Sequence, residues 1–172
     1  KVVFIQAGVM SRTGIDAYQA LSDQIDQLLD DINSRFGYAG WKPIIYLPND
    51  LPNVTLMALR RMARFCVVSS LHDGMNLVAK EYAASRFDED GVLILSPFTG
   101  SALELTDALI VNPYATEQFA DAICDAVEMP LESRRARMIN MRSIVRENNI
   151  YKWAADLINE FAEFGELSAH PQ

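Results

Sequence analysis

The sequence predicts an α/β fold: a Rossmann-like parallel sheet of about five strands with helices on both faces, closed by a helical C-terminal segment. Three observations carry this. Five short apolar runs of four or five residues recur along the first two thirds of the chain. The segments between them place apolar residues three and four apart, the spacing of helices that bury one face. After the last run only helical patterns follow. Strands joined through helices return to the same edge and pair in parallel, and both faces of such a sheet are covered.

The elements follow in order. Val2 to Gln6 reads as the first strand and Ala7 to Gly14 as a loop. From Ile15 to Phe36, residues Ile15, Tyr18, Leu21, Ile25, Leu28, Leu29, Ile32 and Phe36 mark an amphipathic helix that Gly37 and Gly40 end. Pro43 to Leu47 is the second strand, stopped by Pro48-Asn49-Asp50-Leu51-Pro52, and Asn53 is placed to cap a helix through Arg64. Phe65 to Ser69 is the third strand, and the helix behind it ends near Arg86. Val92 to Leu95 and Ala108 to Val111 are the fourth and fifth, with a helical turn, Ser101 to Leu105, between them. Helices are expected over 116–128, 131–148 and 150–164. Residues from Ser168 onward read as disordered.

The bulk numbers exclude several classes. A chain of 172 residues fits one domain with a real core. Its formal charge of −8 and pI near 4.7 exclude a nucleic-acid surface, which needs basic residues to displace counterions. Apolar runs stop far short of the ~18 residues of a membrane span. The run from Val2 ends at Gln6, below the ~7–15 residues of a signal-peptide core. Cys66 and Cys124 read as small core residues of a reduced, cytoplasmic protein. His72 and His170 lie far apart without ligand spacing, so a zinc site is not expected; no cofactor is expected either. Trp41 and Trp153 read as packing residues, and Arg134, Arg135 and Arg137, beside acidic residues on one helix, as a solvated face.

Ligands of open α/β sheets bind at the carboxyl ends of the strands. Three loops lie there: Gly8 to Gly14, Pro48 to Pro52, and Ser70 to Asn76. The third stands out. Val67-Val68 leads into Leu71-His72-Asp73-Gly74-Met75-Asn76, and a helix leads away with Glu81 one turn inside it. Such a junction aims unpaired backbone N–H groups and the positive end of a helix dipole at an anion. Gly74 lets the backbone turn and a ligand approach closely. Asn76, Leu77 and Val78 supply the free amides. Glu81 would repel a phosphate in contact but suits a ribose diol one group away, and Asp73 can accept from hydroxyls on the other side. The constellation suggests a nucleoside diphosphate carrying a sugar. The same residues also read as an ordinary Asp-Gly turn, a helix cap and a solvated glutamate. Arg12, at the tip of the first strand, can clamp a second phosphate or stand as a surface charge. Neither a Walker loop nor a Gly-x-Gly-x-x-Gly fingerprint is present.

The run from Leu71 to Tyr82 resembles the signature of the trehalose-6-phosphate synthases, retaining glycosyltransferases of the GT-B fold. Other landmarks extend the resemblance over nearly the whole chain: Ser11-Arg12-Thr13, Ile32-Asn33, Arg35-Phe36-Gly37, Trp41, Val92-Leu93, Glu104-Leu105, Ala108 to Tyr114, Met129-Pro130-Leu131, Asn149 and Trp153. The resemblance implies metal-independent transfer of glucose from a nucleotide-glucose donor (UDP-, ADP- or GDP-glucose) to a phosphorylated acceptor, glucose 6-phosphate, with retention. It makes Asp73 the catalytic-site carboxylate and Asp73, Gly74, Met75, Asn76, Leu77, Val78, Ala79, Lys80 and Glu81 the donor-binding stretch. Asp73 and the Met75 and Asn76 amides hold the sugar, Leu77 and Val78 receive the diphosphate, and Glu81 holds the ribose. Arg12 matches the acceptor-phosphate arginine, and Ala7 and Leu51 match the base pocket, where they leave the base open.

His72 stands where the family usually has arginine. The upstream arginine and lysine that neutralise the diphosphate, and the N-terminal acceptor domain, are expected outside these residues. The chain is then part of a C-terminal nucleotide-sugar-binding domain, inactive alone. Alternatives are a glucosylglycerol-phosphate synthase, a pseudo-glycosyltransferase, or a non-catalytic subunit that senses nucleotide sugars. A homo-oligomer is an open possibility.

Overall fold

The computed structural model describes residues 1–8 and 16–169, with side-chain surroundings for 1–8 and 18–162. Arg12 and His170 lie outside the described residues. The chain divides into two compact units, Lys1–Leu56 and Met57–Gln172.

In the first unit β1 (Phe4–Ala7) and β2 (Ile44–Leu47) pair in parallel, Phe4 opposite Ile44 and Ala7 opposite Leu47, with α1 (Asp16–Phe36) as the crossover. Asn33 of α1 docks the helix on the sheet. Its side-chain amide donates to the Ile44 carbonyl and its oxygen accepts the Ile44 N–H, both at 3.1 Å. A single side chain thereby satisfies both backbone groups of one strand residue. Beyond α1, Tyr38 and Trp41 exchange backbone hydrogen bonds of 3.1 and 2.9 Å and stack at 5.4 Å between ring centroids. The packing role read for Trp41 holds. An apolar groove of about 490 Å³ lies between α1 and the strands, lined by Phe4, Tyr18, Leu21, Ile25, Ile44 and Tyr46 among others. The next helix, α2 (Asn53–Met62), starts where the Pro52 carbonyl accepts from the Thr55 and Leu56 N–H groups. Asn53 is therefore its first helical residue and not its cap.

The second unit is built on β3 (Phe65–Val68), β4 (Val92–Leu95) and β5 (Leu109–Ile110), parallel and in that order. All four residues of the central β4 are buried. Side chains alternate across a strand, and the two faces of β4 accordingly meet different partners. Leu93 and Leu95 pack with Ala79, Tyr82 and Ala83 of α3 (Leu77–Ser85) and with Met138 and Met141 of α6 (Leu131–Glu147). Val92 and Ile94 pack with Ala122 and Ala126 of α5 (Thr116–Glu128). Burying each large apolar side chain stabilises the unit by ~1.5–3 kcal/mol. Helices thus cover both faces of the β3–β5 sheet, as predicted, whereas Ile5 and Ile45 of the β1–β2 sheet stay exposed. The five strands form two parallel sheets of two and three. The remaining elements are α4 (Ser101–Glu104) and α7 (Ile150–Ala169). Helix α7 includes Ser168, read from the sequence as disordered.

Expectations for four side chains are corrected. Arg134 is buried at 7% exposure, because Asp90 takes its guanidinium through both carboxylate oxygens and the Met129 carbonyl accepts from Nη1 at 2.5 Å. Arg137 is half-buried and donates to the Asp107 carbonyl at 2.8 Å, leaving only Arg135 of the three exposed. Cys124 and Trp153 are exposed, since α5 buries the Ala122–Ala126 face and Trp153 lies off the packed surface.

Candidate functional site

The loop after β3 is laid against the loop after β4 by a run of backbone bonds. Asp73 N–H donates to the Phe98 carbonyl at 3.1 Å, Gly100 N–H to the Asp73 carbonyl at 3.1 Å, and Ser101 N–H to the Met75 carbonyl at 2.8 Å. The fully buried Ser101 hydroxyl donates to the same Met75 carbonyl and lies 3.0 Å from the Asn76 carbonyl. This seam requires close backbone approach: a Cβ on Gly100 would collide with the Gly74 carbonyl. At Gly74 itself the backbone avoids the left-handed region, and a Cβ would enter open space. The chain bends at Gly74 as expected, but without entering the left-handed region that only glycine favours. Its small size leaves the surface in front of it clear.

The left-handed residue is Asn76, at φ 72°. Asparagine tolerates this region better than most side chains because its amide bonds locally. Here Oδ1 caps α3 by accepting the Ala79 N–H at 2.9 Å, while Nδ2 donates to Asp73 Oδ2 at 3.0 Å and to Ser70 Oγ at 3.3 Å. Asp73 Oδ1 accepts the Met75 N–H at 3.1 Å. These bonds, the Met75 amide first and the Asn76 side chain second, hold the Asp73 carboxyl below its ordinary range, so it is anionic at neutral pH. The Met75 amide, read as a sugar ligand, is spent on Asp73 in this arrangement.

With Ala79 capped, the Leu77 and Val78 amides of α3 have no hydrogen-bond partner among the described residues. The side chains of Met75, Leu77 and Val78 stand exposed around them. Two free amides at the positive end of a helix dipole form a ready anion site. One turn on, Glu81 is half in solvent and its Oε2 lies 2.6 Å from Arg60 Nη2 of α2. Lys80 points elsewhere. Its ammonium pairs with Glu104 of α4 at 2.7 Å, and Glu104 also accepts from Asn148 at 3.3 Å. Lys80 therefore ties α3 to α4 and presents no free charge to a ligand.

The structure brings together Asp73, Gly74, Met75, Asn76, Leu77, Val78, Ala79 and Glu81 of the expected site. Ala7 and Leu51 belong to the first unit, at the end of β1 and in the loop after β2. Ser70 lies in the loop singled out from the sequence, whereas three contributors carry no local signal there: Gly100, Ser101 and Arg60. The short Ser96 to Gly100 loop before a helical turn was the one available hint, since a parallel neighbour strand brings its loop to the same edge.

Comparison with known proteins agrees with the motif. The family model for glycosyltransferase family 20 matches residues 1–163. Trehalose-6-phosphate synthase of Klebsiella pneumoniae is 42% identical over 169 residues, covering 98% of this chain and 36% of that protein. The structure of an alpha,alpha-trehalose-phosphate synthase from Burkholderia xenovorans in complex with glucose-6-phosphate superimposes with a TM-score of 0.88 at 41% identity, over 93% of this chain and 35% of that one. An E. coli structure bound with UDP-2-fluoro glucose gives a TM-score of 0.88 at 38% identity, over 93% and 36%. The chain spans about a third of the length of the curated relatives it matches. The match over residues 1–163, together with the fold and the Leu71 to Tyr82 signature, shows that the chain belongs to glycosyltransferase family 20.

Proposed function

We propose that these residues are the donor-binding part of an enzyme that transfers glucose, with retention, from a nucleotide-glucose to glucose 6-phosphate, giving trehalose 6-phosphate. The observation that carries the reading is the start of α3: two free amides, Leu77 and Val78, between an anionic Asp73 and Glu81. The diphosphate lies on the amides, the sugar hydroxyls reach Asp73, and the ribose diol reaches Glu81. During transfer the bond from the anomeric carbon to the diphosphate breaks and negative charge accumulates on the departing diphosphate. Preorganised amides at a helix N-terminus stabilise that charge without reorganising. Arg12 serves the acceptor phosphate, and Ala7 and Leu51 the base.

The relatives support the choice of substrates, since one was crystallised with glucose-6-phosphate and another with UDP-2-fluoro glucose. The reading includes a cytoplasmic location, where nucleotide sugars are made. The test is calorimetry of UDP-, ADP- and GDP-glucose with the full-length protein, followed by product analysis with glucose 6-phosphate. Binding of one donor and formation of a phosphorylated disaccharide are expected. Transfer to glycerol 3-phosphate or to a cyclitol instead overturns the acceptor assignment. Donor binding without turnover marks a sensing subunit, and no binding overturns the reading.

A further inference from the structure

Resting on that reading, we propose that the Asn76 side chain is a positioning residue for Asp73, fixing its carboxylate toward the donor sugar with the same group that sets the start of α3. One planar amide does both jobs. Its oxygen fixes α3 through the Ala79 N–H at 2.9 Å, and its nitrogen holds Asp73 Oδ2 at 3.0 Å. The amide plane is itself fixed, because Asn76 is 9% exposed and Ser70 Oγ lies 3.3 Å from Nδ2. With Met75 N–H on Oδ1 at 3.1 Å and the Asn76 backbone N–H also directed at the carboxylate, both oxygens of Asp73 are held within the loop, and lone-pair capacity remains for a ligand. The geometry therefore couples where the diphosphate sits, on the Leu77 and Val78 amides, to where the sugar is received. A simple helix cap needs only the oxygen. Asp would supply that oxygen and tolerates the same positive φ, so the Asn76 nitrogen is the part that a capping role leaves without a purpose.

The test separates the nitrogen from the cap in the full-length protein. Asn76→Ser keeps a capping oxygen and removes the donor to Asp73. It is expected to lower kcat/KM with the nucleotide-glucose on the order of tenfold or more, while affinity for the nucleoside diphosphate alone changes less than about twofold. In the Asp73→Ala background the same change should cost nothing further, because the group it positions is gone. Carbon-detected titration of Asp73 gives a readout that needs no ligand: its midpoint should rise in Asn76→Ser. Asn76→Asp keeps the cap and sets a carboxylate against Asp73, so it should raise the midpoint further and move the acid limb of the activity profile upward. If Asn76→Ser folds poorly, Asn76→Asp alone decides. Additive losses with Asp73→Ala, equal losses for diphosphate and nucleotide-glucose, or an unmoved Asp73 midpoint each overturn the role. If wild-type protein binds no nucleotide sugar, the functional reading fails with it, whereas normal wild-type binding with an unmoved Asp73 midpoint overturns the Asn76 role alone.

Discussion

Arg60 and Glu81 meet across α2 and α3, Nη2 to Oε2 at 2.6 Å, with Arg60 the more buried partner. The pair occupies one oxygen of the carboxylate assigned to the ribose. Half-exposed ion pairs contribute little to folding, so Arg60→Ala should change stability by less than ~1 kcal/mol. Glu81→Ala should weaken donor binding by ~1–3 kcal/mol, the range for a hydrogen-bonded group left unpaired. Calorimetry of the donor and denaturant unfolding of both variants check this, and Arg60→Ala should lower donor affinity less than Glu81→Ala does.

Gly100 and Gly74 face each other and should respond oppositely. Gly100→Ala forces a Cβ onto the Gly74 carbonyl, and such overpacking costs ~1–3 kcal/mol. Gly74→Ala adds a Cβ in open space and should stay within ~0.5 kcal/mol of wild type. The second change should instead weaken the nucleotide-glucose more than the diphosphate, because the proposed sugar position lies in front of Gly74. Thermal unfolding beside ligand titration reads both effects.

The two predictions mark how far the sequence could be read. The ends of β4 and α5 were legible because Asp88 to Gly91 and Pro130 punctuate clear apolar patterns. The site loop was legible because Asp73, Gly74 and Asn76 have turn and cap chemistry within a few residues of one another. Arg60, Gly100 and Ser101 were not. Their partners lie roughly twenty or more residues away, and a serine or glycine after a strand looks like any other turn. Arg134 was misread for a related reason. A row of arginines beside glutamates implies a solvated helix face, and Asp90, from a distant turn, with the Met129 carbonyl explains why one of them is buried.

That buried pair gives a pH prediction. The hydrogen bond from Arg134 holds Asp90 below its ordinary range, and Arg86 and Arg64 lower it further. A depressed folded-state pKa contributes stability above the unfolded value, near ~3.9, and loses it as pH falls through the folded one. Acid unfolding of wild type should therefore steepen below about pH 4, and Asp90→Asn should flatten that limb. Arg134→Ala removes the buried partner and should cost about 3 kcal/mol, the lower end for breaking a buried pair, because Asp90 is a third exposed.

The two thiols should differ in reactivity. Burial pushes the Cys66 thiol up to about 11, leaving almost no thiolate at neutral pH, whereas Cys124 is exposed. Of these two, only Cys124 should react rapidly with a disulfide reagent under native conditions. Cys124→Ser should abolish the fast phase, and denaturant should expose Cys66.

The central claim is that the start of α3 receives the diphosphate of a nucleotide sugar. The most direct measurement is an amide spectrum of deuterated full-length protein titrated with UDP-glucose, or with whichever nucleotide-glucose binds. The account predicts that the Leu77 and Val78 amide resonances shift strongly, while the Ala79 amide, already bonded to Asn76, moves less. Saturable donor binding that leaves Leu77 and Val78 unshifted would contradict it.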